Sequence, residues 1–282
     1  MKNFVINPVL NKEFKLRFRS FKSFLGIFFY LLAMGIIIVG FVFIESQSNM
    51  QGFFKPHQSR SIFIMMSFLQ FALILFITPG LTAGVISSER ERQTLNIMLT
   101  TTQSSASIIL SKLISAISYL LLLIIASLPL YSFVFLFGGI SPMQVLTTIG
   151  FYIFTMIVIG SIGVFFSTLI RKTIISMVTT YAVTLFLVGG TAFLTLIIMQ
   201  YTNRFGTVTT NPAAYFTAML NPPIILFSIF DPGFMTGIKN NTGIEVPLWI
   251  SYLISYSVIF IGAMLLSIKK LRPNMKRLKG NE

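Results

Sequence analysis

The chain has no cysteine, one histidine, one tryptophan and only seven acidic residues among 282. With no thiol, neither a disulfide, a zinc–cysteine site nor a cysteine nucleophile can form. The lone histidine, His57, follows Pro56 and reads as a solvated loop residue. One histidine and three acids on the same side of a membrane make no convincing hydrolase or metal centre. A phosphate-cradling loop of the form Gly-x4-Gly-Lys-Ser/Thr is also missing. The pairs Gly138-Gly139 and Gly189-Gly190 lack its lysine and its strand-to-helix setting. Any ATP-driven work must therefore draw on another chain.

Charge is missing from six long stretches. Residues 24–44, 62–86, 113–137, 145–170, 174–199 and 247–268 hold no Asp, Glu, His, Lys or Arg. A hydrocarbon core of ~30 Å needs about 20 apolar helical residues to cross it. The expected architecture is therefore all-α and membrane-embedded, one domain over residues 1–282 with six spans. The first run is too long for a secretory h-region and lacks a small-residue cleavage site, so it reads as a retained helix. With no ionisable group inside a span, a proton relay is disfavoured. Gln70 and a break at Pro79 leave sodium coupling open. The 30 phenylalanines and 14 methionines read as lipid-facing and packing residues.

The charges between the runs set direction. With both ends placed in the cytoplasm, 17 Lys and Arg fall inside and four outside. That is the asymmetry of a positive-inside topology. The inner face then carries +13 and the outer +1 of the net +14. Topology and anionic lipid head groups explain this charge better than nucleic acid does, and no nucleic-acid partner is expected.

Residues 7–22 form an expected interfacial amphipathic helix. Leu10, Phe14, Phe18, Phe21 and Leu25 recur on one face, and Asn7-Pro8 suits a helix start. Thr78-Pro79-Gly80 predicts a kink or local unwinding in the second span, and Pro129 lies near the outer end of the third. Gly138-Gly139 and Ser141-Pro142 predict an outer turn, and Arg171-Lys172 an inner one. The segment 200–246 is apolar over 213–230 but broken by Asn221-Pro222-Pro223. A seventh crossing would put the C-terminal basic cluster outside. Two short helices that dip in and return preserve parity, and they need cover from the bundle or a second subunit.

Between spans two and three the chain reads Ser87-Ser88-Glu89-Arg90-Glu91-Arg92-Gln93-Thr94-Leu95-Asn96-Ile97-Met98-Leu99-Thr100-Thr101, continuing to Ile108-Ile109-Leu110-Ser111-Lys112. Ser88 and Glu91 have capping-box spacing. Leu95, Met98 and Leu99 fall on one helical face. The expected element is a short cytoplasmic amphipathic helix, within a segment 88–107, whose apolar ridge a partner could grip.

This segment resembles the permeases of ABC-2-type transporters. There the loop runs Glu-x-Gly-Thr-Leu, an apolar stretch, Thr-Pro, Ser, and an apolar triplet with Gly-Lys. Glu91, Thr94, Leu95, Met98, Leu99, Thr101, Ser104, Ile108, Ile109, Leu110 and Lys112 match in register. Gln93, Thr102 and Ser111 stand where that family commonly has Gly, Pro and Gly. The motif covers about 22 residues, whereas the six spans, inner termini, amphipathic first helix and long last outer loop extend the likeness over nearly the whole chain.

The resemblance implies a non-enzymatic permease subunit in the plasma membrane, bacterial by expectation. A separate ABC ATPase subunit would bind ATP and magnesium, and a second permease copy, identical or different, would complete a dimer. It further implies an ATPase-coupling segment at Glu89, Arg90, Glu91, Arg92, Thr94, Leu95, Met98 and Leu99, and a re-entrant outer turn at Asn221, Pro222 and Pro223. Spans one, two and five would face the dimer and its pathway. Uncharged spans suit export of an amphipathic or hydrophobic cargo such as a peptide, lipid-like molecule or drug. A secondary carrier or channel without an ATPase, or a membrane scaffold, are the competing readings.

Overall fold

The computed structural model describes residue 18 and residues 21–48, 56–100, 103–135, 140–204 and 211–271. Among them the regular structure is helical, with no strand. The helices are α1 (Phe21–Ser48), α2 (Pro56–Thr82), α3 (Ser87–Glu91), α4 (Leu95–Thr100), α5 (Ser105–Phe135), α6 (Pro142–Leu169) and α7 (Thr173–Leu185). A π-turn at Phe186–Gly190 leads into α8 (Thr191–Arg204). Then come α9 (Ala213–Met219), α10 (Pro222–Phe230), α11 (Pro232–Thr242) and α12 (Leu248–Leu271).

Among the described residues, six stretches are long and apolar enough to cross a membrane: Phe24–Ile44, Ser59–Glu91, Ser105–Ser132, Pro142–Leu169, Thr173–Thr202 and Leu248–Leu271. Each contains most of one apolar run of the sequence. The expected surface helix at 7–22 lies almost wholly outside the described residues. So do the Gly138-Gly139 turn, the His57 side chain and the basic residues after Leu271.

The described residues divide into two compact units. The division falls inside α2, between Thr78 and Pro79, and inside α6, between Met156 and Ile157. The first unit holds α1, α2 up to Thr78, α5, and α6 up to Met156. Its core is apolar around Met34, Phe63, Met66, Ile109 and Met156, with a polar seam. Tyr30 of α1 donates its hydroxyl to Gln70 Oε1 of α2, and Tyr152 of α6 donates to the Ser67 carbonyl at 2.7 Å. α1 approaches α5 closely at Gly26, where a Cβ would stand 2.9 Å from the Tyr119 hydroxyl. Close approach over a small residue is how helices pack when lipid competes for their apolar surfaces.

The second unit holds the end of α2, then α3, α4, the rest of α6, and α7 to α12. The helix remains continuous through Pro79, with Thr78 Oγ1 donating to the Ile74 carbonyl at 2.6 Å. The expected unwinding at Pro79 is displaced to a turn at 83–86. The cause is packing: Gly163 of α6 lies against Thr82 and the Ala83 backbone. Ser176 of α7 donates to the Ala83 carbonyl at 2.7 Å. Gly163 is thus an internal packing glycine, whereas a Cβ at Gly189 would meet nothing within 4 Å.

The spans differ in cover. Only 17% of the first and of the fifth is buried, against 61% of the third and fourth. Phe24, Phe28, Ile36, Val178, Leu185 and Phe193 are among the exposed side chains. Apolar surface on this scale belongs against lipid or another chain.

Candidate functional site: the 87–100 segment and the 213–230 hairpin

Local chemistry explains the shape of the 87–100 segment. α3 begins without a side-chain cap from its own sequence. The Ser167 hydroxyl of α6 instead accepts from the backbone N–H of Ile86 and of Ser87, at 2.8 and 3.0 Å. The expected Ser88–Glu91 capping box does not form. Ser88 N–H is already bonded to the Gly84 carbonyl at 3.0 Å, so it is no helix start, and the Glu91 carboxylate points elsewhere.

α3 ends at a left-handed residue. Gln93 has φ 59°, the one positive φ among the described non-glycine residues. Thr94 N–H bonds the Glu89 carbonyl at 3.0 Å and Gln93 N–H bonds the Arg90 carbonyl at 3.1 Å. Those two bonds around a left-handed residue make a Schellman C-cap. The Thr94 hydroxyl also donates to the Glu89 carboxylate. After this reversal α4 leaves in a new direction.

Two side chains fasten the segment to the turn between α6 and α7. Arg90 Nη2 donates to the Thr168 carbonyl at 3.0 Å, near the C-terminal end of α6. Glu91 accepts from the Thr173 backbone N–H and from the Thr173 hydroxyl, each at 2.8 Å. Lys172, the N-cap of α7, offers no side-chain cap. Glu91 therefore caps α7 from 82 residues away, with its negative charge at the positive end of the helix. Arg171 and Lys172 are exposed beside it.

The expected apolar ridge of α4 is turned the other way. Leu95 is buried, and Met98 and Leu99 are half-buried. The exposed positions are Glu91, Arg92, Gln93, Thr94, Asn96, Ile97 and Thr100, with Ile97 70% exposed. The surface on offer is thus mixed polar, with one large apolar side chain. α4 is too short for the sequence pattern alone to say which side packs.

The hairpin over 213–230 is built around Asn221. α9 and α10 meet at 93°. Asn221 is fully buried and serves both ends of its amide. Its Oδ1 accepts from Ile224 N–H at 2.8 Å, capping α10. Its Nδ2 donates to the Val188 carbonyl at 2.5 Å and to Thr191 Oγ1 at 2.9 Å. Pro222 and Pro223 occupy the first turn of α10, where a missing N–H costs nothing. The π-turn at 186–190 frees carbonyls that the α-ladder would have used, and Asn221 takes one of them.

The hairpin is held at other points as well. Tyr256 of α12 donates to the Leu220 carbonyl at 3.0 Å. Tyr215 of α9 lies 3.0 Å from the Val246 carbonyl and 2.6 Å from Ser251 Oγ. Thr195 of α8 donates to Thr217 of α9 at 2.9 Å. The cover expected for such short helices comes from α8 and α12 of the same chain. Beyond the hairpin, Asp231 caps α11 through Gly233 N–H at 2.9 Å, and Lys239 pairs with Glu245 at 2.7 Å.

The two named groups lie in one compact unit, each with its own anchors. Sequence reasoning missed Ser167, Thr168 and Thr173 as partners, because hydroxyl residues are common and nothing local marks them. The π-turn was equally silent, although Gly189-Gly190 allows it. Comparison with protein-family models and with curated proteins gives no match.

Proposed function

We propose that the chain is the membrane-spanning permease subunit of an ATP-driven ABC-2-type exporter, with both termini and the 87–101 segment in the cytoplasm. The observation that carries this reading is the clasp of Glu91 on Thr173 and of Arg90 on Thr168. A segment meant to receive force must be fixed to the spans it moves. This one is covalently continuous with α2 and hydrogen-bonded to both sides of the α6–α7 turn, while Ile97 and Arg92 remain exposed for a partner.

Two further observations support it. Gln93 takes the left-handed conformation at the position where the resembled family carries glycine. The 213–230 stretch forms two short helices set at 93° to each other, a bend that supports an outer re-entrant segment. The coupling residues are then Glu89, Arg90, Glu91, Arg92, Thr94, Leu95, Met98 and Leu99. Leu95 acts from inside by holding α4 in place. A partner ATPase binds ATP and magnesium. A second permease copy covers apolar surface on spans one and five. The cargo is amphipathic or hydrophobic, and the setting is the plasma membrane.

The experiment is purification of the full chain from its native membrane in mild detergent. A stoichiometric ABC-type ATPase in the complex supports the proposal. Its repeated absence returns the 87–101 segment to a lipid-surface role and favours a carrier or a scaffold.

A further inference from the structure

A hydroxyl side chain within a helix ordinarily gives its proton to a carbonyl one turn back in the same helix. On α6 and α7, Ser161, Thr168, Thr179, Thr180 and Thr184 do so. Three hydroxyls of these two helices do not, and all three serve residues 83–91. Thr173 reaches Glu91. Ser167 and Ser176, both fully buried, reach the turn at 83–86 that interrupts the second span.

Little in the local sequence forces that interruption. Pro79 leaves the helix continuous, and residues 80–91 hold no proline. No residue of 83–86 has a positive φ, and Ile86, at φ −107° and ψ −41°, stays in the right-handed region. Two rungs of the ladder are exchanged. In a continuous helix Ile86 N–H would bond the Thr82 carbonyl, and Ser87 N–H the Ala83 carbonyl. Here both N–H groups bond Ser167 Oγ, at 2.8 and 3.0 Å. The Thr82 carbonyl takes Val85 N–H at 3.3 Å, and the Ala83 carbonyl takes the Ser176 hydroxyl at 2.7 Å. The Ser167 proton goes to Ser87 Oγ at 3.3 Å. A side chain set into the ladder in this way is a known cause of a kink.

We infer that residues 83–86 are a two-state hinge, and that Ser167 and Ser176 are the positioning residues that hold it broken. When they let go, the two rungs close and the helix runs from α2 into α3 without interruption. Both states satisfy these four backbone groups, and the freed serines can bond back into their own helices as their neighbours do. A modest input can therefore choose between the states. Its use in coupling rests on the permease reading. Arg90 and Glu91 grip Thr168 and Thr173, so force on the 87–100 segment is felt beside both serines.

Solid-state NMR of the full chain in lipid nanodiscs tests the hinge through the backbone angles of Ile86. The wild type should keep φ near −107°. Ser167→Ala combined with Ser176→Ala should move it to roughly −63°, the value of a continuous helix. An unchanged angle would overturn the inference, because the break would then need neither serine. A change to non-helical angles would overturn it as well, since that is mere loss of order. If the double variant fails to insert, Ser167→Ala decides on the same signal. In the assembled complex the double variant should retain its ATPase while cargo stimulation of hydrolysis falls several-fold, and full stimulation would overturn the coupling role. Absence of an ATPase from the wild-type complex would sink the permease reading, whereas the Ile86 angle would still decide the hinge.

Discussion

The Glu91 carboxylate caps α7 through Thr173, receiving its backbone N–H and its hydroxyl at 2.8 Å each. A loop that follows the second span thereby holds the first turn of the fifth. Glu91→Ala and Thr173→Ala should each reduce cargo-stimulated ATP hydrolysis by the assembled complex, while membrane insertion persists. The double variant should be no worse than Glu91→Ala, which already loses both bonds, and Thr173→Ala should be the mildest, because its backbone N–H still reaches Glu91. Coupling assays in proteoliposomes check this. Losses that multiply in the double variant would show that the two residues act separately.

Gln93 should gain from losing its side chain. At φ 59° an L-residue is strained, and glycine is not. Gln93→Gly should stabilise the Schellman turn by up to about 1 kcal/mol, and Gln93→Val should weaken it by at least as much. Thermal melting of the purified chain reads both. Melting temperatures that do not move in opposite directions would mean that the turn is not held as described.

Asn221 serves two neighbours, so two substitutions separate its roles. Asn221→Asp keeps the acceptor for Ile224 N–H but loses the donor to the Val188 carbonyl and Thr191. Asn221→Ala loses both, at a cost of about 2–4 kcal/mol from a missing cap and an unsatisfied buried carbonyl. The aspartate variant should unfold at low pH more like wild type than at neutral pH, because a buried charge facing a carbonyl is relieved by protonation. Equal melting of all three proteins would contradict the role given to Asn221.

The Lys239–Glu245 pair gives a pH test. Its hydrogen bond to Lys239, then the lysine charge, holds the Glu245 carboxyl below its ordinary value. A depressed carboxyl contributes stability above its unfolded pKa, about 4.3, and loses it as pH falls through the folded value. The small melting difference between wild type and Glu245→Gln should therefore be constant from about pH 6 to 8 and vanish in stronger acid. Because both side chains are exposed, salt should shrink it.

Much of the fold was legible in the sequence because the bilayer writes it in composition. Uncharged runs gave the six spans, and Asn221-Pro222-Pro223 gave the break between α9 and α10, since a helix seldom continues into proline. The site was less legible. Ser88 and Glu91 have the spacing of a capping box, yet the chain is already helical at Ser88, and Glu91 serves a helix 82 residues on. Leu95, Met98 and Leu99 share a face, but periodicity does not say which body that face rests on. Gln93 hides a left-handed turn because glutamine is an uncommon choice for one. The π-turn and its bond to Asn221 depend on contacts between distant helices, which no local pattern encodes.

One measurement bears on the whole reading. The chain is purified from its native membrane in mild detergent, and the masses of co-purifying proteins are determined for wild type and for Ile97→Asp, which alters the large exposed apolar side chain of α4 and leaves the clasp intact. The proposal predicts a stoichiometric ABC-type ATPase with the wild type and a sharply reduced yield of it with the variant. A wild-type chain that repeatedly emerges without any ATPase would contradict it.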